Sequence, residues 1–308
     1  MKFVIYGAGG RGRWCLDFLI WRKMEDRVLA LCDRNCDRIG SICGVPVIKY
    51  EEAKQLGNNF LIPFADLKVA NEVLEIVRND GCVGYLFDEF YKILGEDQTS
   101  FLREWCAYHH AKHNDEWFDA AEKNEALEVF WGENSPFYQK FCELNLSNVI
   151  ELACGRGRHL SRYIGDAEQI TLVDILEENI NYCQERFKGN NKIVYYHNNG
   201  FNLEKLQDNS YTALFTYDSM VHFEMMDVKE YLQDIYRVLR RGGKALFHHS
   251  NYSADYKADF AHAPHARCFM NKDLFAYLAN RVGFKILSQE VIDWYGISNL
   301  DCITLVEK

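Results

Sequence analysis

Residues 149–160 read VIELACGRGRHL. Val149, Ile150 and Leu152 make a short apolar run suited to a buried strand, and Arg158 to Ile164 resume a helical pattern. Between them Ala153, Gly155 and Gly157 are small enough for a ligand to approach the backbone. A strand, a glycine turn and a helix N-terminus together form a cradle for a nucleotide. The spacing E-x-A-x-G-x-G differs from the phosphate-binding GxGxxG, because no glycine stands where a pyrophosphate demands close helix packing. Taken alone, the motif is also compatible with a turn that is merely structural.

The order of elements after it narrows the choice, since strand and helix alternate through the remaining residues as a doubly wound sheet requires. Gln169 to Val173 is a strand ending in Asp174, seventeen residues past Gly157, and a helix follows over Glu177 to Phe187. Ile193 to Tyr196 is the third strand and runs into Asn198, Asn199, Gly200 and Phe201. An Asn-Gly turn without a ligand would give the same letters. Ala213 to Tyr217 is the fourth strand, followed by DSMVHF, which holds Asp218 and His222, and by a helix running to RRGG. The fifth strand, KALFHHSN, holds His248 and His249.

In this order and spacing the chain resembles the class I S-adenosylmethionine-dependent methyltransferases over about residues 130–308. Asp218 to Phe223, the R-G-G and HHSN are similar to O-methyltransferases that act on sugars of bacterial surface polysaccharides. Arg267 with Met270, the helix KDLFAYLANRVGF and the strands KILSQEVIDW and DCITLVEK resemble that family's last helix and antiparallel strand pair. Ala153 replaces the usual first glycine, a mild departure. The resemblance implies S-adenosylmethionine bound by Glu151, Ala153, Cys154, Gly155, Gly157, Asp174, Ile175, Asn199, Gly200 and Tyr217. Asp174 would hold both ribose hydroxyls, and the Asn199 carbonyl oxygen would accept from the adenine amine. The acceptor implied is a hydroxyl of a small-molecule sugar, nucleotide-sugar or related surface-glycan precursor, methylated by in-line displacement. His222, His249 and Asp218 are the catalytic candidates, because an alcohol needs a base and an unshifted histidine titrates near neutrality. A metal held by Asp218 and the histidines is the rival account. Strand alternation sends His248 and His249 to opposite faces, so at least one of the adjacent histidines is buried and structural.

The chain opens with KFVIYGAGGRGRWCLDFLIW, in which Gly7, Gly9 and Gly12 follow a strand and enter a helix. A second strand, Val28 to Cys32, ends at Asp33, twenty-one residues after Gly12, where a dinucleotide-binding fold places its ribose-binding carboxylate. The fold expected is thus α/β, with two Rossmann-like doubly wound domains joined by a helical segment. Their bounds are 1–95, a helical connector or lid over 96–147, and 148–308 for the methyltransferase domain with its final antiparallel strand pair. The first domain is similar to small Rossmann-like domains attached to bacterial polysaccharide and nucleotide-sugar enzymes, where such a unit binds a nucleotide or only packs. Two alternatives remain: an NAD(P)-dependent oxidoreductase centred on GxGxxG, which lacks an evident Tyr-Lys or Cys-His pair, and a methyltransferase acting on a non-sugar small molecule.

Composition limits the partners. With 308 residues, 48% hydrophobic, 26% charged and a net charge of −10, the chain is an ordinary globular protein and a poor general binder of nucleic acid. No apolar run reaches the ~18 residues of a membrane span, and no signal peptide opens the sequence, so the cytoplasm is the expected compartment. Eleven cysteines without a CxxC pair read as reduced thiols. His109 and His113 share a helix face, and His110 adjoins them, but no third ligand is evident and no metal is expected. Oligomeric state is open, a homo-oligomer included.

Overall fold

In a computed structural model, residues 1–112, 115–258, 260 and 263–308 are described, those at 115–117 by backbone alone. The chain divides into two units, Met1–Tyr108 and His109–Lys308. The division falls inside the segment read as a connector.

In the first unit the strands are β1 (Phe3–Tyr6), β2 (Val28–Cys32), β3 (Ser41–Ile42), β4 (Val45–Ile48), β5 (Asn59–Ile62) and β6 (Val83–Leu86). Their order is β3-β4-β2-β1-β5-β6, parallel except for the β3–β4 pair. β1 is covered on both faces: Phe3 and Ile5 join one core cluster and Val4 the other. That explains its continuous apolar run. Gly12 is obligatory, since a side-chain carbon there would lie 2.0 Å from the Gly7 carbonyl oxygen. Phe101, Trp105 and Tyr108, from the helix Gln98–Ala111, pack edge to face around Phe18.

In the second unit the strands are β7 (Val149–Leu152), β8 (Ile170–Asp174), β9 (Ile193–His197), β10 (Tyr211–Thr216), β11 (Leu239–Ser250), β12 (Lys285–Trp294) and β13 (Ile297–Glu307). Their order is β12-β13-β11-β10-β7-β8-β9, with β13 antiparallel to both β11 and β12. This is the sheet and closing strand pair that the resemblance implies. β7 lies between β8 and β10, so the chain winds both ways from it and leaves a crevice at its C-terminal end. One face of the sheet packs against Phe130, Trp131, Phe137 and Phe141, from the helices Asn124–Trp131 and Pro136–Phe141; the other packs against the helices Met225–Val238 and Lys272–Val282.

Two local expectations differ. The helix expected from Arg158 is only a 3₁₀ turn, Leu160–Arg162. Seven residues separate Gly157 from Gly165, and the Tyr163 hydroxyl is drawn to Glu151. The helix expected to run to RRGG stops at Val238, and residues 239–243 begin β11. None of the eleven cysteines is in a disulfide. Among the described residues no helix is long and apolar enough to cross a membrane.

Candidate active site

The turn after β7 carries positive φ at Ala153 (58°), Gly155 (54°) and Gly157 (77°). Its two glycines do different work. A side-chain carbon built on Gly155 would have no atom within 4 Å, so this position faces open space, whereas one on Gly157 would lie 2.6 Å from the Phe187 ring. Asp174, at the tip of β8, closes the turn: its Oδ2 accepts from Gly155 N at 2.8 Å and its Oδ1 from Leu176 N and Asn179 Nδ2 at 2.9 and 3.1 Å. A carboxylate offers about four acceptor positions. Three of these are in use, which leaves one acceptor position for the two ribose hydroxyls expected at Asp174. Burial pushes its carboxyl above the ordinary value despite those three donors.

Glu151, on β7, is buried. Tyr163 donates its hydroxyl to Oε2 at 2.6 Å, while Oε1 has no hydrogen-bond partner among the described residues. Burial raises the carboxyl to about 7, with Tyr163 and Arg158 opposing. Cys154 is buried, with Sγ 3.5 Å from the Gly155 oxygen, to which Cys183 also donates, at 3.3 Å. Ile175 is half-buried, and its carbonyl accepts from His197 Nε2 at 2.9 Å. Beside Asp174 opens a cavity of about 240 Å³ lined by His110, Phe118, Arg156, Leu176, Asn179 and Tyr182. The Arg156 guanidinium lies over the Phe118 ring at 3.9 Å and the Tyr182 ring at 4.9 Å.

The turn after β9 holds Asn199, the residue expected at the adenine. Asn199 is exposed, and its Oδ1 already accepts from Phe201 N and Asn202 N at 3.1 and 3.0 Å, followed by Gly200 at φ 82°. It is a turn residue whose carbonyl oxygen is in use. The preceding Asn198 is buried, and its Oδ1 has no partner among the described residues.

Beyond β10 the chain turns at Asp218, whose φ is 53°. Arg158 Nη2 donates to its Oδ2 at 2.9 Å; burial alone would raise this carboxyl, but the Arg158 guanidinium holds it below the ordinary value. His222 closes a 3₁₀ turn, and its Nδ1 lies 2.8 Å from the Ala266 oxygen. A carbonyl only accepts, so Nδ1 carries the proton and Nε2 the lone pair. Burial, then His110 with its ring centroid 5.3 Å away, lowers this imidazole to about 3. Tyr217 is turned into the core against Phe130 and Phe137 rather than toward the turn, so its ring is a packing element.

His249 differs from its expectation as a base. It is fully buried, stacked on Phe275 at 3.9 Å, and its Nδ1 and Nε2 face the Ser250 oxygen and Thr304 Oγ1 at 2.8 and 2.9 Å. A ring so enclosed cannot meet an acceptor. His248 lies on the opposite face, between the Tyr217 and Trp294 rings. Its partner Asp301, and Arg267 bonded to Asp301 in turn, are not among the expected site residues. A charged residue inside the apolar run DCITLV was the available signal. Among the described residues no three His, Cys, Asp or Glu gather as a metal site, and His113 lies outside those residues.

In the first unit the glycine turn and Asp33 do meet. Gly7 has φ 100°, Ala8 N donates to Asp33 Oδ2 at 2.9 Å, and Asn35 N donates to Oδ1 at 2.8 Å. Burial works against the charge, but these amides hold the carboxyl below its usual value. Gly9 precedes the helix Gly10–Trp21, and a side chain there would meet nothing within 4 Å.

Residues 150–247 match the family model described as a methyltransferase domain. None of the curated proteins matches the chain at a significant level. Among solved structures, it is similar to S-adenosylmethionine-dependent methyltransferases from Aquifex aeolicus (14% identity, 63% of this chain and 98% of that one, TM-score 0.46), Clostridium acetobutylicum (14%, 63% and 98%, 0.48) and Mesorhizobium loti (14%, 56% and 97%, 0.45). Residues 150–247 are thus a methyltransferase domain, and its cofactor is S-adenosylmethionine. The residues present fit that cofactor: a buried Glu151 oxygen lacks a partner, Gly155 faces open space, and Asp174 retains an acceptor position.

Proposed function

We propose that the chain methylates a hydroxyl of a sugar, nucleotide-sugar or related surface-glycan precursor. Glu151, Gly155, Asp174 and Asn198 would hold the cofactor, which supplies an electrophilic methyl group on a sulfonium. Asp218 and His222 would face the acceptor. The observation that supports this reading is the tautomer of His222: its Nδ1–H goes to the Ala266 oxygen, which puts the ring's lone pair on Nε2, the form a general base requires. Because burial keeps this ring neutral and weakly basic, alignment of the hydroxyl by Asp218 and its neighbours supplies most of the rate, an effect that can reach several kcal/mol. The sugar class rests on the resemblance of the DSMVHF and HHSN segments.

The test is to incubate the full chain with methyl-labelled S-adenosylmethionine and a panel of nucleotide-sugars and oligosaccharides. Label appearing as a methyl ether on a sugar hydroxyl supports the reading. Label taken up only by amines, carboxylates or non-sugar alcohols sinks it.

A further inference from the structure

Asp218 leaves β10 in a left-handed conformation that a residue with a side chain rarely adopts, so its surroundings must fix it. Two bonds do so. Arg158 Nη2 holds the carboxylate at 2.9 Å, and the Asp218 amide donates to His248 Nδ1 at 3.0 Å. A backbone N–H can only donate, so Nδ1 of His248 is the bare nitrogen and Nε2 carries the proton. That proton goes to Asp301 Oδ2, 2.9 Å away. Asp301 is in turn clasped by Arg267, with Nε to Oδ1 at 2.9 Å and Nη2 to Oδ2 at 2.6 Å. Arg267 is anchored by Nη1 to the His265 oxygen at 2.8 Å, and its guanidinium lies over Trp294 at 5.2 Å. His248 and Asp301 are fully buried and Arg267 is 2% exposed.

Stability is a poor account of this arrangement, because apolar side chains of similar volume commonly replace a buried ion pair at no loss. What the charges provide is orientation. The carboxylate selects one imidazole tautomer, and that tautomer presents an acceptor to a single backbone amide. We infer that Arg267, Asp301 and His248 form a positioning relay that fixes the Asp218 backbone and so aims its carboxylate at the acceptor hydroxyl. The inference rests on the proposed function for the role of Asp218, but not for the relay's geometry.

Two substitutions divide the relay at its middle. In His248→Asn the amide oxygen takes the place of Nδ1 and still accepts from Asp218, while the contact with Asp301 is lost. In His248→Gln the longer side chain keeps Asp301 but offers Asp218 nothing. Both should keep cofactor affinity within about threefold of wild type, which reports that the domain is folded, while kcat of His248→Gln falls at least tenfold below that of His248→Asn. Equal losses of kcat, or losses that follow cofactor affinity, would overturn the relay. Nitrogen-15 NMR of the full chain supplies a readout that needs no acceptor: His248 is expected as the neutral Nε2–H tautomer, and Asp301→Asn should mix the tautomers. A charged or Nδ1–H ring in the wild type overturns the inference. A wild type that keeps the tautomer but methylates no sugar counts against the proposed function instead.

Discussion

Tyr163 donates its hydroxyl to Glu151 Oε2 at 2.6 Å, and the other oxygen of the same carboxyl group is buried without a partner. Half of this group is therefore satisfied by the fold and half is left for something the fold does not supply. The cofactor's ammonium or a water bound beside it has the chemistry to complete it.

A stability prediction follows from the raised carboxyl, about 7 against an ordinary 4.5. Between those values the folded chain holds a proton that the unfolded chain has released. The stabilisation is thus complete below the unfolded value and is lost as pH rises through about 7, a cost of about 3 kcal/mol as an order of magnitude. Glu151→Gln, which keeps an acceptor for Tyr163, should flatten this part of the Tm profile of the cofactor-free protein. Equal slopes in variant and wild type between pH 5 and 7.5 would refute the assignment.

Asp174 ties three donors and the cofactor turn together. Asp174→Ala is expected to weaken S-adenosylmethionine binding by about 2–4 kcal/mol, combining a lost ribose bond with a loosened Gly155 amide. Titration calorimetry checks it. Affinity within a few-fold of wild type would remove Asp174 from the cofactor site.

Where one strand, one turn and the next strand tip made the geometry, the sequence was readable: Gly155 and Asp174 meet because a parallel β-α-β order brings consecutive strand tips together. The same holds for Ala8 and Asp33. What could not be read depends on partners far along the chain. His248 reaches Asp301 across 53 positions, and Arg267 reaches Asp301 across 34, through the antiparallel pairing of β13 with β11. Alternation separated His248 from His249, but which of the two lies under the helix Lys272–Val282 is set by tertiary packing. Asn199 misled for a local reason, since the same amide that suits an adenine also suits an Asx turn.

The first unit gives a prediction that separates ligand from scaffold. Each Asp33 oxygen accepts one amide proton and so retains an acceptor position for a ribose hydroxyl. We expect nucleotide-sugars to raise the Tm of the full chain and Asp33→Ala to abolish that shift, because the glycine turn at the N-terminus of Gly10–Trp21 offers amides to phosphate. No shift with nucleotide-sugars or NAD would leave the unit a scaffold. Gly12→Ala is unsuitable as a control, since the added carbon collides with the Gly7 oxygen.

The two histidines first considered as bases should now behave oppositely. His222 carries its lone pair on Nε2, and its low proton affinity, about 3, leaves it unprotonated at any pH at which the protein would be assayed. His222→Ala should therefore lower kcat by about 10²-fold, the low end for a general base, because a weakly basic group removes less of the barrier. The acid limb of the wild-type profile should show no titration near the ordinary histidine value, and cofactor affinity should stay nearly intact. His249 occupies a cavity shaped by Phe275 and Thr304, so His249→Ala should cost about 2–4 kcal/mol of stability as buried-ring deletions do. Turnover per folded molecule should survive that change. Measuring kcat and Tm together for both variants decides the matter: a folded His249→Ala that has lost turnover, or a His222→Ala with wild-type kcat, would reverse the assignment.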